Sequence, residues 1–141
     1  MDDNIITQLS IFVNNEPGRL AQIASVLREC HINMRAFNLA ESTEFGILRA
    51  IVENPDEAYE KLKSTGVIVK KTDVIGVIIQ DTPGSLIQAA DILGQAGINI
   101  EYGYAYTGRQ AAAFFVRVDD PERAVEVLKD AGIRLIFDSE I

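Results

Sequence analysis

The chain repeats itself with a period of 66 residues, and this repeat constrains the fold more than any other feature. The segment Asn15–Leu20, Asn-Glu-Pro-Gly-Arg-Leu, returns as Asp-Thr-Pro-Gly-Ser-Leu at Asp81–Leu86. The offset needs no insertion or deletion, so Ile32-Asn33 returns as Ile98-Asn99. A register held over half of the chain indicates two copies of one structural unit. We therefore expect two domains, residues 1–72 and residues 73–141.

Each copy changes between the two-residue period of strands and the 3.6-residue period of helices in a fixed order. The first copy predicts strands at Ile5–Val13, Ile32–Ala40, Phe45–Glu53 and Val67–Lys71, with helices at Gly18–Cys30 and Asp56–Ser64. This β-α-β-β-α-β order predicts an α+β fold, a ferredoxin-like module repeated twice, with antiparallel sheets and helices on one face. Because no Gly/Ser/Pro linker separates the copies at 71–73, we expect the modules to be paired side by side.

The second helix of each copy carries boundary signals. Asn54 precedes Pro55, and Asp120 precedes Pro121, so each pair predicts an N-cap followed by proline at the first helical position. Gly66 is expected to end the helix of the first copy.

Charge and composition exclude several classes of function. Thirteen basic and twenty-one acidic side chains give a net charge of −8, which disfavours nucleic acid and anionic membrane surfaces. No apolar run is long enough for a membrane span, and the acidic start, Met1–Asn4, differs from a signal peptide, so we expect a cytoplasmic protein. The single cysteine, Cys30, and single histidine, His31, are too few for a disulfide or a usual metal site.

Catalytic motifs are not evident in either copy. We find neither a nucleophile paired with a base nor a Walker-type phosphate loop, and we expect no cofactor and no enzymatic activity.

The device kept in both copies is the turn between the first strand and the first helix. Pro17 and Pro83 fix φ there, while Gly18 and Gly84 lack a Cβ and let a ligand approach the unpaired N–H groups of the helix. Those groups and the helix dipole favour a carboxylate or phosphate. Pro-Gly also suits a tight turn with no ligand, so both interpretations remain open at this point.

The full combination is more specific: Asn/Asp-x-Pro-Gly-x-Leu is followed, fifteen residues after the glycine, by the Asn of Ile-Asn. With these motifs both halves closely resemble the ACT domain family, small regulatory modules of this β-α-β-β-α-β plan. The resemblance implies ligand binding between paired modules, by the turn of one module and the start of the second strand of its neighbour. An amino acid is the ligand class that it implies.

The resemblance assigns two sites, residue by residue. The first site comprises Asn15, Pro17, Gly18, Arg19 and Leu20, with Asn99 and Ile100 as the facing group. The reciprocal site comprises Asp81, Pro83, Gly84, Ser85 and Leu86, with Asn33 and Met34. Asn15 and Arg19 suit an anion, whereas the carboxylate of Asp81 suits an ammonium. We predict inequivalent sites and leave open that one is empty, and that Arg19 is merely solvated and Asp81 merely a turn residue.

Other residues distinguish the copies. Tyr102, Tyr104 and Tyr106 should share one strand face, as a pocket wall, an oligomer interface or core beneath the helices. His31 is expected to interact with the dipole at the end of the first helix, and Cys30 to be a small buried residue.

The leading interpretation is a non-catalytic regulatory protein that binds a small ligand, by resemblance an amino acid, at interfaces between ACT modules and signals to a partner protein. A homodimer is expected. One alternative is a ligandless structural or regulatory subunit that binds a metabolic enzyme. Another is a small ferredoxin-like enzyme resembling the acylphosphatases, for which Arg19 is the sole support.

Overall fold

A computed structural model describes residues 3–41, 45–80, 82–107 and 111–141, with only the backbone of Thr107. The predicted α+β class is confirmed, and most element limits agree within two residues. The strands are β1 Ile5–Asn14, β2 Met34–Glu41, β3 Phe45–Val52, β4 Val69–Gln80, β5 Ile100–Thr107 and β6 Ala111–Val118. The helices are α1 Arg19–Glu29, α2 Pro55–Ser64, α3 Ser85–Gln95 and α4 Pro121–Asp130, followed by a 3₁₀ turn at Asp138–Glu140.

The chain divides into two compact units. The first module is Thr7–Thr72; the second module is Asp73–Glu140 together with the N-terminal segment that ends at Ile6. That segment is attached through Asn4, whose side-chain amide donates to the carbonyl of Ile136 at 3.2 Å. The boundary near Thr72 lies inside β4, so one continuous strand stands where the sequence predicted two.

The core of the first module lies on one face of its sheet. β1 pairs with β3 and β3 with β2, both antiparallel, so Ile11 lies opposite Leu48 on the same face. Helix residues Leu27 and Leu62 pack on that face and are almost fully buried. The buried cluster is Leu9, Ile11, Val13, Leu27, Leu48, Ala50, Val52, Ala58, Leu62 and Val69. Each large member stabilises the module by about 1.5–3 kcal/mol through removal from water.

The second module repeats this arrangement. β4 and β5 flank β6 in antiparallel pairs, which places Ile75 opposite Val116 beneath Leu93 and Leu128. Its last strand is reduced to a single bridge between Val77 and Leu135. The buried cluster is Ile75, Val77, Ala89, Leu93, Ile98, Val116, Val118, Ala124, Val125, Leu128 and Leu135.

The predicted boundary residues of the second helices are confirmed, but the two N-caps differ in their bonding. Asp120 is an N-cap as predicted, because its Oδ1 accepts the backbone N–H of Arg123 at 3.2 Å. Asn54 is also the N-cap residue before Pro55, as predicted, but its side chain makes no capping bond. The reason is its left-handed backbone, with φ of 52°, which departs from the extended φ that aims a cap side chain at the helix. Gly66, with φ of 85°, follows the end of α2 as predicted.

His31 has a backbone role that the sequence did not predict. It follows α1 at φ of 57°, where the second module has Gly97 at 73°. The N–H of Ile32 donates to the carbonyl of Leu27 at 2.9 Å, which completes a Schellman ending. A left-handed φ is unusual for a residue with a side chain, so this ending holds local strain.

The three tyrosines share the sheet face opposite the helices of the second module. Tyr102 pairs with Arg117 and Tyr104 with Phe115, whereas the neighbouring Val116 and Val118 belong to the helix-covered core. The ring centroids of Tyr104 and Phe115 are 6.0 Å apart. Core packing beneath the helices is therefore wrong for these side chains; a pocket wall and an oligomer interface remain predictions.

Within the described ranges, no helix is both long and apolar enough to cross a membrane.

Candidate functional site

The predicted turn has the same geometry in both modules. Gly18 has φ of 84° and Gly84 has φ of 83°, values that side-chain-bearing residues rarely adopt. A Cβ added at either glycine would meet no atom within 4 Å among the described residues. The turn therefore requires glycine for its backbone conformation, and the space above it is open.

Side chains of the first turn are tied to one another. Arg19 Nε lies 3.2 Å from Glu16 Oε2, and its Nη1 donates to Gln22 Oε1 at 3.1 Å. Asn15 Nδ2 donates to Glu41 Oε1 at 2.9 Å. These exposed contacts orient Arg19, although each of them is weak. Pro17 lies in the turn, and Leu20 is an exposed apolar residue of the first helical turn.

The second turn is closed differently. Ser85 Oγ donates to the carbonyls of Thr82, at 2.9 Å, and Gln80. Ser85 thereby stabilises the turn, which is a structural role for a predicted ligand residue. Pro83 lies in this turn and Leu86 is exposed, as in the first copy. Asp81, the other polar residue of this prediction, lies outside the described residues.

A cavity adjoins each turn, and the two cavities occupy equivalent positions. The first cavity, about 330 Å³, is lined by Phe12, Val13, Asn14, Arg19, Gln22, Ile23, Val26, Thr65, Gly66, Val67 and Ile68. The second cavity, about 360 Å³, is lined by Ile78, Ile79, Gln80, Ser85, Gln88, Ala89, Ala111, Gly132, Ile133 and Arg134. Both lie between the end of a strand, the start of a helix and the loop after the module's second helix. Volumes of this size suit small ligands.

The structure brings Arg19 and Ser85 into these cavities, and none of the other predicted site residues that the structure describes lines either of them. Asn33 and Met34 lie at the start of β2, whereas Asn15 contacts Glu41 at its end. Eight strand residues span about 23 Å, so these groups are apart within the first module. Asn99 and Ile100 occupy the equivalent position at the start of β5. The predicted sites combine groups from different modules and stay predictions.

Gln22, Gln88 and Arg134 line the cavities and were not predicted as site residues. The repeat gave a signal for the glutamines, which are identical at the 66-residue offset. Arg134 gave none, because its counterpart is the apolar Ile68.

A third cavity, about 130 Å³, lies at the opposite end of the first module. It is lined by Cys30, His31, Ile32, Asn33, Glu53, Asn54, Glu57, Ala58 and Lys61. Lys61 Nζ lies 2.8 Å from Glu57 Oε1, and this hydrogen bond lowers the pKa of Glu57 and raises the pKa of Lys61. Cys30, predicted to be buried, is half-buried at this cavity. Across the described ranges, no group of three or more His, Cys, Asp or Glu residues is arranged to hold a metal.

Comparisons with known proteins define the class. The family described as "ACT domain pair" matches residues 4–141, so the chain belongs to that family, as its motifs predicted. The crystal structure of protein BT0572 from Bacteroides thetaiotaomicron is 38% identical, with a TM-score of 0.92 over 96% of this chain and 94% of that one.

Two further structures share the fold at lower identity. The regulatory subunit of aspartate kinase from Thermus thermophilus is 17% identical, with a TM-score of 0.65 over 92% of this chain and 95% of that one. Its counterpart from Thermus flavus is 18% identical, with a TM-score of 0.62 over 92% and 94%. No significant match was found among curated proteins.

Proposed function

We propose that this ACT domain pair is a non-catalytic regulatory protein that binds a small ligand, an amino acid by class, beside its Pro-Gly turns and signals to a partner protein. The domains proposed are residues 1–72 and 73–141. The observation that carries the proposal is the recurrence of one cavity, 330 and 360 Å³, next to the same turn in both modules. A cavity that recurs in both copies fits a shared binding role.

The chemistry of the cavities supports binding rather than proton transfer. Their described linings combine apolar side chains with the amides of Gln22 and Gln88 and one arginine each. Amides and guanidinium groups recognise carboxylate and ammonium groups through directed hydrogen bonds. Apolar walls would exclude water around the remainder of such a ligand.

Signalling requires a partner and a change in some equilibrium. Proteins of this fold include regulatory subunits of aspartate kinase, which supports an enzyme as the partner. A ligand can signal only if it binds one arrangement of the modules more tightly than another. We propose that the ligand does so across module interfaces, with Asn33 and Asn99 as facing groups, in a cytoplasmic homodimer.

The test is a thermal-shift screen of the full chain against the twenty amino acids, followed by calorimetry. A ligand at 100 times its Kd stabilises the folded state by about 2.7 kcal/mol and raises Tm accordingly. Asn33→Ala and Asn99→Ala should each weaken binding, whereas Asn38→Ala, within β2 and outside the predicted sites, should not. No shift with any amino acid at millimolar concentration would contradict ligand binding of the proposed class.

The ligandless alternative has one observation in its favour. Phe37 and Leu39 lie on the same side of β2 and are 60% and 49% exposed. Neighbouring exposed apolar side chains suit a protein partner. A ligandless subunit predicts that Phe37→Ser with Leu39→Ser abolishes partner capture while no amino acid shifts Tm.

A further inference from the structure

Each of the two cavities beside the Pro-Gly turns contains one arginine among its described lining residues. The two arginines belong to opposite walls of their cavities. We propose that each cavity binds the carboxylate of a small metabolite through this arginine, Arg19 in the first and Arg134 in the second. The inference rests on the proposed function and deepens it, because it names the chemical group that each cavity recognises.

The 66-residue repeat shows that the arginine has changed walls between the two cavities. In the first cavity Arg19 stands at the start of α1, and the loop wall carries Ile68. In the second cavity the start of α3 carries Ser85, and the loop wall carries Arg134. Position 19 corresponds to 85, and position 68 to 134. Each cavity therefore has one guanidinium group, but the arginine stands at a different position of the repeat in the two modules.

The described linings of both cavities favour an anion. No Asp or Glu side chain belongs to the described lining of either cavity. This is unexpected in a chain with twenty-one acidic and thirteen basic residues. Gln22 and Gln88, at equivalent positions, add amide donors to the two linings. A guanidinium that lines a cleft raises the local concentration of small anions, and its pairing with Glu16 or Glu140 reduces this effect.

Neighbouring carboxylates orient the arginines and leave donors for a ligand. Glu16 lies 3.2 Å from Nε of Arg19, and Glu140 lies 3.4 Å from Nη2 of Arg134. Both pairs are exposed, so they are weak and exchangeable. A guanidinium has five N–H donors in a planar fork, which matches a carboxylate bidentately. The two sites would thus differ in geometry and agree in the charge of the group that they bind.

The experiment is an NMR titration that follows the Nε–H groups of arginine and the side-chain amides of Gln22 and Gln88. Sodium acetate is the carboxylate probe; ethylammonium chloride at equal ionic strength is the cation probe, and sodium phosphate is the competing anion. We expect saturable shifts with acetate at Arg19 and Arg134, and none with ethylammonium. Arg28, exposed at the other end of α1, is the matched reference.

Moving the arginine provides the decisive variant. Arg19→Ser should weaken acetate binding in the first cavity by about tenfold or more. Adding Ile68→Arg to Arg19→Ser places the guanidinium on the wall used in the second module and should restore binding. Ile68 and Arg19 are both exposed, so the fold should survive, which circular dichroism checks. Arg134→Ile should remove binding in the second cavity alone.

Three results would overturn the inference. Equal, non-saturating shifts at all arginines would show ionic screening only. Saturation with phosphate but not with acetate would exclude a carboxylate as the bound group. Failure of Ile68→Arg to restore acetate binding to Arg19→Ser would show that a guanidinium in the cavity is not sufficient for binding. If an amino acid shifts Tm equally in the original protein, Arg19→Ser and Arg134→Ile, the proposed function stands and this inference is wrong. If acetate saturates both arginines while no amino acid binds, this inference stands and the proposed ligand class is wrong.

Discussion

The two modules satisfy the same helix-end carbonyl from different positions. In the first module Lys61 Nζ donates to the carbonyl of Cys30 at 3.3 Å. In the second module Arg123 Nη1 donates to the equivalent carbonyl, of Ala96, at 2.6 Å. Arg123 corresponds to Glu57 and not to Lys61. A cation near the C-terminal end of a helix is favourable, so the repeat has kept an interaction while its residue moved by one helical turn.

The same corner differs in backbone strain. The first module has left-handed His31 and Asn54 beside its third cavity. The second module has Gly97 at one position and a capping Asp120 at the other. Strain of this kind persists where surrounding structure holds it, and it is common at functional sites. The second copy therefore represents the relaxed form of this corner.

The largest expected effect tests a difference in strand packing. A Cβ at Gly103 would lie 2.6 Å from Cε1 of Phe114, whereas the first module has Phe37 at that position. We expect Gly103→Ala to lower the free energy of unfolding by about 1–3 kcal/mol through overpacking. Urea denaturation measures the loss, and adding Phe114→Leu, the first module's residue type, should recover part of it.

Gly94→Ala is the matched control for that change. Its Cβ would meet nothing within 4 Å, and in a helix the substitution should stabilise by about 0.5–1 kcal/mol. Equal effects at Gly94 and Gly103 would show that the contact with Phe114 does not limit this position.

The next largest effect on stability distinguishes the N-caps of α2 and α4. Asp120→Ala should lower the free energy of unfolding by about 1 kcal/mol, because the N–H of Arg123 loses its acceptor. Asn54→Gly should be neutral or stabilising, since Asn54 makes no capping bond and has a positive φ. Thermal denaturation of both variants checks the pair. A comparable loss in Asn54→Gly would mean that the two caps are equivalent after all.

A smaller effect is expected from exchanging the residues after α1 and α3. Gly97→His should destabilise by about 1 kcal/mol, because a side chain disfavours left-handed φ. His31→Gly should gain less than that, because glycine also adds entropy to the unfolded chain. Chemical denaturation at one pH measures both. A loss of stability in His31→Gly would show that His31 contributes contacts that outweigh its strain.

The smallest effect is the pH dependence of the exposed pair Glu57 and Lys61. The lowered pKa of Glu57 gives stability that is present above its usual value of 4.5 and lost as pH falls through the folded value. The raised pKa of Lys61 gives stability that is present below 10.5 and lost as pH rises through its folded value. In Glu57→Gln, Tm measured over a series of pH values should fall slightly less steeply at acid pH. If Tm falls with decreasing pH equally in both proteins, Glu57 does not contribute to the acid sensitivity of the first module.

Local sequence signals predicted most of the fold. Apolar periodicity located the helices and strands, because burial of one face fixes both register and period. It could not predict φ at Asn54 or the continuity of strand β4, since both depend on the tertiary structure around these residues. It also left the face of Tyr104 undecided, because alternation fixes that neighbours share a face but not which one.

The candidate site was predicted only in part. Pro17-Gly18 and Pro83-Gly84 marked the turns because positive φ restricts the residue type. The loop wall of each cavity comes from the end of the module, where Arg134 has an apolar counterpart, so no local motif connects it with the turn. Such partners become evident only when distant segments are seen together.

The N-terminal segment makes the second module discontinuous along the chain. Asn4 contacts Ile136, and Asp138 donates to the carbonyl of Asp3 at 2.8 Å, so the second module closes across almost the whole sequence. The first module is in effect an insertion within the second. During synthesis Thr7–Thr72 can fold before the rest emerges, whereas the second module must wait for its most distant contacts. The entropic cost of closing a loop grows only slowly with its length, so the inserted Thr7–Thr72 adds little to the cost of bringing the two parts of the second module together.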